Sequence, residues 1–208
     1  MPEVDIGAAY NEVIRVTRTA PSVGSGMAAL LDHCDKAFPG PVWSNFRSLP
    51  FEQDTAELRT WLEGVLTEEP PPPAVKAYWF GMFQSIEQEQ VLYNLYLSGA
   101  TREYTPDSLD WACWTDDTYL PKSRYTQPEV VNAIFNGVQA EEDAVLLADY
   151  ALCLGFCCLA LTAGLKTLPK LLLFHGEQAI PVVVGFEDGD DILLGHVGQS
   201  GWMPVGSD

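Results

Sequence analysis

Three histidines, His33, His175 and His196, are the side chains able to exchange a proton near neutral pH. His33 stands beside Cys34 and Asp35 in a helical pattern. Residues one and two apart do not face each other on a helix, so no catalytic triad follows from that spacing. His175 and His196 fall at expected strand ends near Glu177 and Asp190–Asp191. With Asp190 they define an enzymatic alternative, a metal-dependent hydrolase, but no regular ligand spacing sets a metal site. The stretch VGQSGW at 197–202 departs from the nucleophile-elbow pattern, because Trp202 stands where the second glycine is needed. SVGSG at 22–26 lacks the spacing and the lysine of a phosphate loop. EDGDD at 187–191 is too short for a twelve-residue calcium loop and reads as a hairpin turn. Cys34, Cys113, Cys153, Cys157 and Cys158 match no zinc or redox spacing and read as small buried hydrophobes in a reducing cytosol. No cofactor and no metal are expected.

The segment LYLSGATREYTPDSLDWACWTDD, residues 95–117, offers a different chemistry. Trp111, Cys113 and Trp114 stand among Glu103, Asp107, Asp110, Asp116 and Asp117. Large rigid rings supply contact energy at an interface, and carboxylates around them select a cationic partner. The candidate partner-binding residues are therefore Asp107, Asp110, Trp111, Trp114, Asp116 and Asp117. The competing reading is structural: the rings anchor a loop on the sheet while the acids face water.

Charge sets the class of partner. The chain of 208 residues carries 11 Lys+Arg against 29 Asp+Glu, a net −18 with a pI near 4.3. So few cations exclude nucleic acid, whose phosphates would be repelled, and they exclude anionic membrane surfaces as well. A basic protein partner is favoured, with the acids steering the encounter. Residues 51–150 hold 18 of the acids and five bases. The field is thus concentrated in the middle of the chain.

These groups must be held by elements that the pattern also predicts. Residues 3–38 read as two helices broken by APSVGSG, with a third helix over about 53–67 capped by Asp54. EEPPPP at 68–73 reads as a stiff connector. AVKAYWFGMFQSIE and EQVLYNLYLSG read as paired strands, followed by a loop from about 99 to 127. Pro128 opens a helix, and AVLLADYALCLGFCCLALTAGL at 144–165 reads as a helix buried on all sides. That run has the length of a membrane span, but Asp149 lies inside it and no basic anchor flanks it. KLLLFHGE and IPVVVGFEDGDDILLGHV complete the strands. The expected fold class is α+β, one domain over 1–208. It has a helical subregion at 1–67, and an antiparallel sheet packed by the long apolar helix within 74–208. The N-terminus has no signal-peptide pattern, so a cytoplasmic protein is expected.

LYLSG with its acidic loop and DWAC, LADYALCLGFCCLAL, and PVVVGFEDGDDI together make residues 75–200 resemble small bacterial proteins, some of them like toxin-immunity proteins. The resemblance implies a protein that binds and blocks a specific toxin, and it carries over no functional residue. The expectation is a non-enzymatic, immunity-like binding protein that blocks a basic toxin or effector through an acidic, aromatic surface. A housekeeping or structural role for an acidic cytosolic protein is the further alternative. The sequence sets no oligomeric state.

Overall fold

The computed structural model describes residues 4–87, 89–101, 110–113, 118–138, 142–169, 173, 178–187 and 189–205, and the side chains of Asp110, Trp111 and Thr118 lie outside that description. Helix α1 (Ile6–Thr19) is started by Asp5, whose carboxylate accepts the Ala8 N–H at 2.9 Å. It buries Ala9, Val13 and Val16 on one stripe. Helix α2 (Val23–Ala37) opens with a reciprocal cap between Ser22 and Ser25 and buries Met27, Leu30, Leu31 and Cys34. A short α3 (Val42–Phe46) inserts Trp43 and Phe46 into the core. Helix α4 (Phe51–Glu68) buries Leu58, Leu62, Val65 and Leu66.

The proline-rich connector leads into β1 (Ala77–Glu87), which forms a long hairpin with β2 (Gln90–Ala100). Part of the expected loop is structured. Strands β3 (Thr118–Tyr119) and β4 (Tyr125–Thr126) both pair with the free edge of β2. Helices α5 (Glu129–Gly137), α6 (Glu142–Leu147) and α7 (Leu154–Thr167) follow, with a π-helical segment, Ala148–Cys153, joining α6 to α7. Strands β5 (Ile180–Phe186), β6 (Asp191–Gly198) and β7 (Gly201–Pro204) complete a sheet of order β3-β2-β1-β5-β6-β7. Gln199 and Ser200 of VGQSGW form the turn from β6 to β7, and within EDGDD the described Glu187, Gly189 and Asp190 lie between β5 and β6. Most of KLLLFHGE lies outside the described residues.

The fold class is α+β, and one hydrophobic core joins the N-terminal helices, the α6–α7 run and one face of the sheet. The expected antiparallel sheet needs a correction. β1 and β5 pair in parallel, from Tyr78↔Val182 to Met82↔Phe186. Hairpins yield antiparallel neighbours, but the helices between β2 and β5 return the chain to the edge of β1 in the same direction. The run Glu142–Thr167 is long and apolar enough to cross a membrane, yet 78% of its most apolar window is buried inside the fold. It is the central helix of the core, with Leu154, Phe156, Cys157, Cys158 and Leu161 all inside.

The other sheet face carries a smaller cluster of Ala77, Trp79, Tyr96, Ala100 and Val183. A 3-10 turn, Asp110–Cys113, packs on it through Ala112 and Cys113.

Candidate functional site

Of the residues expected to bind a partner, Asp107, Trp114, Asp116 and Asp117 lie outside the described residues. Asp110 and Trp111 belong to the 3-10 turn, whose backbone is held against the second face of the sheet. That face is aromatic. The Trp79 indole donates to the Tyr96 hydroxyl at 3.1 Å, and Phe83 meets both Tyr96 and Tyr125 edge-on. Arg124 lies over the Tyr125 ring at 4.5 Å from its centroid, so this surface has a cation of its own.

The histidines are not brought together among the described residues. His33 sits half-buried on α2, and His175 lies outside the description. His196 is half-buried on β6, and burial holds its imidazole below the ordinary value. At about 3.3 Å per strand residue, His196 stands roughly 20 Å along the strand from Asp190.

The chemistry gathers instead at the end of the sheet where β1 and β5 finish. The parallel pairing puts the β1–β2 hairpin and the β5–β6 turn at that same end. The Glu187 N–H donates to the Met82 carbonyl at 3.1 Å and ties the turn to β1. The Tyr10 hydroxyl donates to the Asp191 carbonyl at 2.5 Å and ties the same turn to α1. Glu87, Glu89, Glu187 and Asp190 are exposed here. Beside them an open cleft of about 340 Å³ is bounded by Gln84, Tyr93, Asp149, Tyr150, Phe186 and Glu187. Among the described residues, both charged groups that line it, Asp149 and Glu187, are acids.

Asp149 and Tyr150 reach the cleft from the π-helical segment, where the Leu154 N–H bonds the Asp149 carbonyl five residues back. Such wide turns inside a helix are rare and recur at functional sites. Oδ1 of Asp149 is buried and accepts no hydrogen bond among the described residues. Burial pushes the carboxyl up to about 6, and the Tyr93 hydroxyl beside it pulls the other way. Tyr93 is itself raised by burial, then by the Asp149 and Cys153 charges. Its backbone is clamped to α5 by Asn132, which accepts the Tyr93 N–H at 2.8 Å and donates to the Tyr93 carbonyl at 3.0 Å. Tyr150 and Phe186 pack at 5.1 Å between ring centroids. The site is therefore a rigid aromatic pocket around a carboxylate that lacks a protein cation among the described residues.

An acid inside an otherwise apolar helix is the signal by which Asp149 stands out in the sequence. The sequence does not tell where it points, because its neighbours come from residues 84, 93 and 186–187. No family model matches the chain, and no curated protein and no solved structure is similar to it.

Proposed function

We propose that this chain is a non-enzymatic, immunity-like binding protein of the cytoplasm that captures a basic toxin or effector domain and blocks it by occlusion. The observation that supports the reading is the coincidence, at one sheet end, of exposed carboxylates with an aromatic cleft whose charged groups, among the described residues, are acids. The net charge of −18 supports it, since such a field speeds the approach of a cationic protein and repels anionic competitors. The aromatic walls supply the contact area that charge alone does not. The acid-rich loop, with Asp107, Asp110, Trp111, Trp114, Asp116 and Asp117, is proposed as a separate contact, since its 3-10 turn packs on the opposite face of the sheet from the cleft.

The test is titration of the purified chain with the basic protein encoded beside its gene, at low and at physiological ionic strength. A one-to-one complex is expected, with affinity falling about tenfold or more as salt rises. Joint replacement of Glu187 and Asp190 by Lys should weaken it further. No complex, or one indifferent to salt and to charge reversal, overturns the reading. Trp111→Ala and Trp114→Ala, assayed in parallel, report how much of the contact the loop carries.

A further inference from the structure

We propose that the cleft between the ends of β1, β2 and β5 and the π-helical segment is a pocket for one arginine side chain of the partner, its guanidinium paired with Asp149 and flanked by the rings of Tyr150 and Phe186. The inference rests on the reading above and names the chemistry of its central contact.

Four observations converge on arginine. First, Asp149 is a carboxylate with a buried oxygen that accepts no bond among the described residues. The last torsion of an Asp side chain is broad, so a small rotation presents both oxygens to a planar fork. Second, the walls are aromatic. Tyr150 and Phe186 pack together, and Tyr93 also lines the cleft. A delocalised, weakly hydrated guanidinium lies well on ring faces, whereas a compact ammonium keeps its water. Third, about 340 Å³ is room for the guanidinium and part of its methylene stem. Fourth, no Lys, Arg or His lines the cleft among the described residues, and Glu187 adds a second acid at its rim. An anionic ligand would meet two carboxylates, and a neutral one would leave the Asp149 charge without a cation. The aromatic groove on the opposite sheet face differs on this point, because Arg124 already occupies the Tyr125 ring.

The groups facing Asp149 fix what a titration would read. Tyr93 faces it from β2, Glu187 from the end of β5, and Tyr150 and Cys153 from its own segment. Asp190 enters through Tyr150.

The probe is N-acetyl-arginine amide, added to the full chain and followed by NMR and calorimetry. Saturable binding at about 1 mM is expected for a single side chain, with shifts in the Tyr93 and Tyr150 ring signals. N-acetyl-citrulline amide, which keeps the shape without the charge, should not bind, and the blocked lysine should bind about fivefold more weakly. Asp149→Asn should lower arginine affinity about tenfold or more, and Glu57→Gln, exposed on α4 away from the cleft, should leave it unchanged. In the unaltered chain, affinity should fall as pH drops and Asp149 takes up a proton. Equal binding of citrulline, an unaffected Asp149→Asn protein or unmoved tyrosine signals overturns the pocket. If the probe fails while the basic partner is still captured, the pocket falls and the binding reading stands. If the probe binds and no basic partner does, the pocket stands and the binding reading falls.

Discussion

The Asp54 carboxylate accepts the backbone N–H of Val130 at 2.8 Å, and so caps a helix that begins 75 residues after it in the chain. The spacing of its own helix predicts a local cap, but α4 begins earlier, at Phe51 after Pro50, which leaves Asp54 one turn inside. Pro128 gives α5 no side-chain cap, so its first N–H groups need an acceptor from elsewhere. Asp54 supplies it from α4 and thereby locks the N-terminal helices to the half of the chain that builds the cleft.

Replacing Asp54 separates its two roles. Burial raises its carboxyl above the ordinary value, and the N–H groups of Val130 and Glu129 pull it down without cancelling that rise. A raised acid favours folding in its protonated form, so its contribution is full below the unfolded value and is lost as pH climbs through the folded one. Asp54→Ala removes the acceptor and should cost about 1–2 kcal/mol. Asp54→Asn keeps an acceptor oxygen without the buried charge, and should be close to neutral at pH 7. Urea unfolding of the two variants checks the ordering; equal losses in both would show that the charge itself is needed.

Asp149 should show the same sign more strongly. Its carboxyl moves from 3.8 to about 6, so its favourable contribution is complete below about 3.8 and disappears as pH rises through about 6. At neutral pH the ionised group therefore costs stability. Asp149→Asn should be more stable than the unaltered chain by up to about 3 kcal/mol at neutral pH, the advantage vanishing in acid. Denaturation across that pH range reads it directly. A destabilised variant at neutral pH would mean that the carboxylate is satisfied in the fold.

What the sequence discloses depends on how local its cause is. β1 and β2 are legible because the hairpin is built from adjacent apolar runs rich in strand-forming residues, and the β5–β6 turn because Asp188-Gly189 stands between two more. The break between α1 and α2 is legible in the first three residues of APSVGSG, but Val23–Gly26 already belong to α2, which Ser22 caps. α3 is not, because five residues after a proline-rich stop are too few to show a period. β3 and β4 are two residues each and exist only because the edge of β2 offers them hydrogen bonds. Parallel pairing of β1 and β5 leaves no mark either, since a buried strand reads alike beside either kind of neighbour. The acid within the apolar helix is visible as a residue, but the π-helical turn that aims it has no composition of its own.

The cysteines should divide by burial. None is in a disulfide; Cys34, Cys153, Cys157 and Cys158 are buried and Cys113 is half-buried. Burial raises the four core thiols, which suppresses their reactive thiolate form. A thiol reagent added to the native protein should therefore modify Cys113 at most, while the unfolded chain should expose all five. Rapid native modification of two or more would show that the α7 core opens readily.

Two glycines should respond in opposite directions to the same substitution. A Cβ on Gly81 would stand 2.2 Å from the Tyr96 ring and 2.6 Å from the Trp79 indole nitrogen. The ring lies across the bare backbone and is held there by its bond from Trp79. Gly81→Ala must push Tyr96 aside and break that bond, so a loss of about 2 kcal/mol is expected, with a shift of the Trp79 indole N–H signal. Gly64, inside α4, has nothing within 4 Å of the added Cβ. There alanine meets no neighbour and gives the helix a better former, so Gly64→Ala should raise stability by about 0.5–1 kcal/mol. Urea midpoints of the two proteins, measured side by side, should move in opposite senses. If Gly81→Ala is as stable as the parent, Tyr96 does not rest on that strand, and the aromatic face is packed differently from the arrangement described.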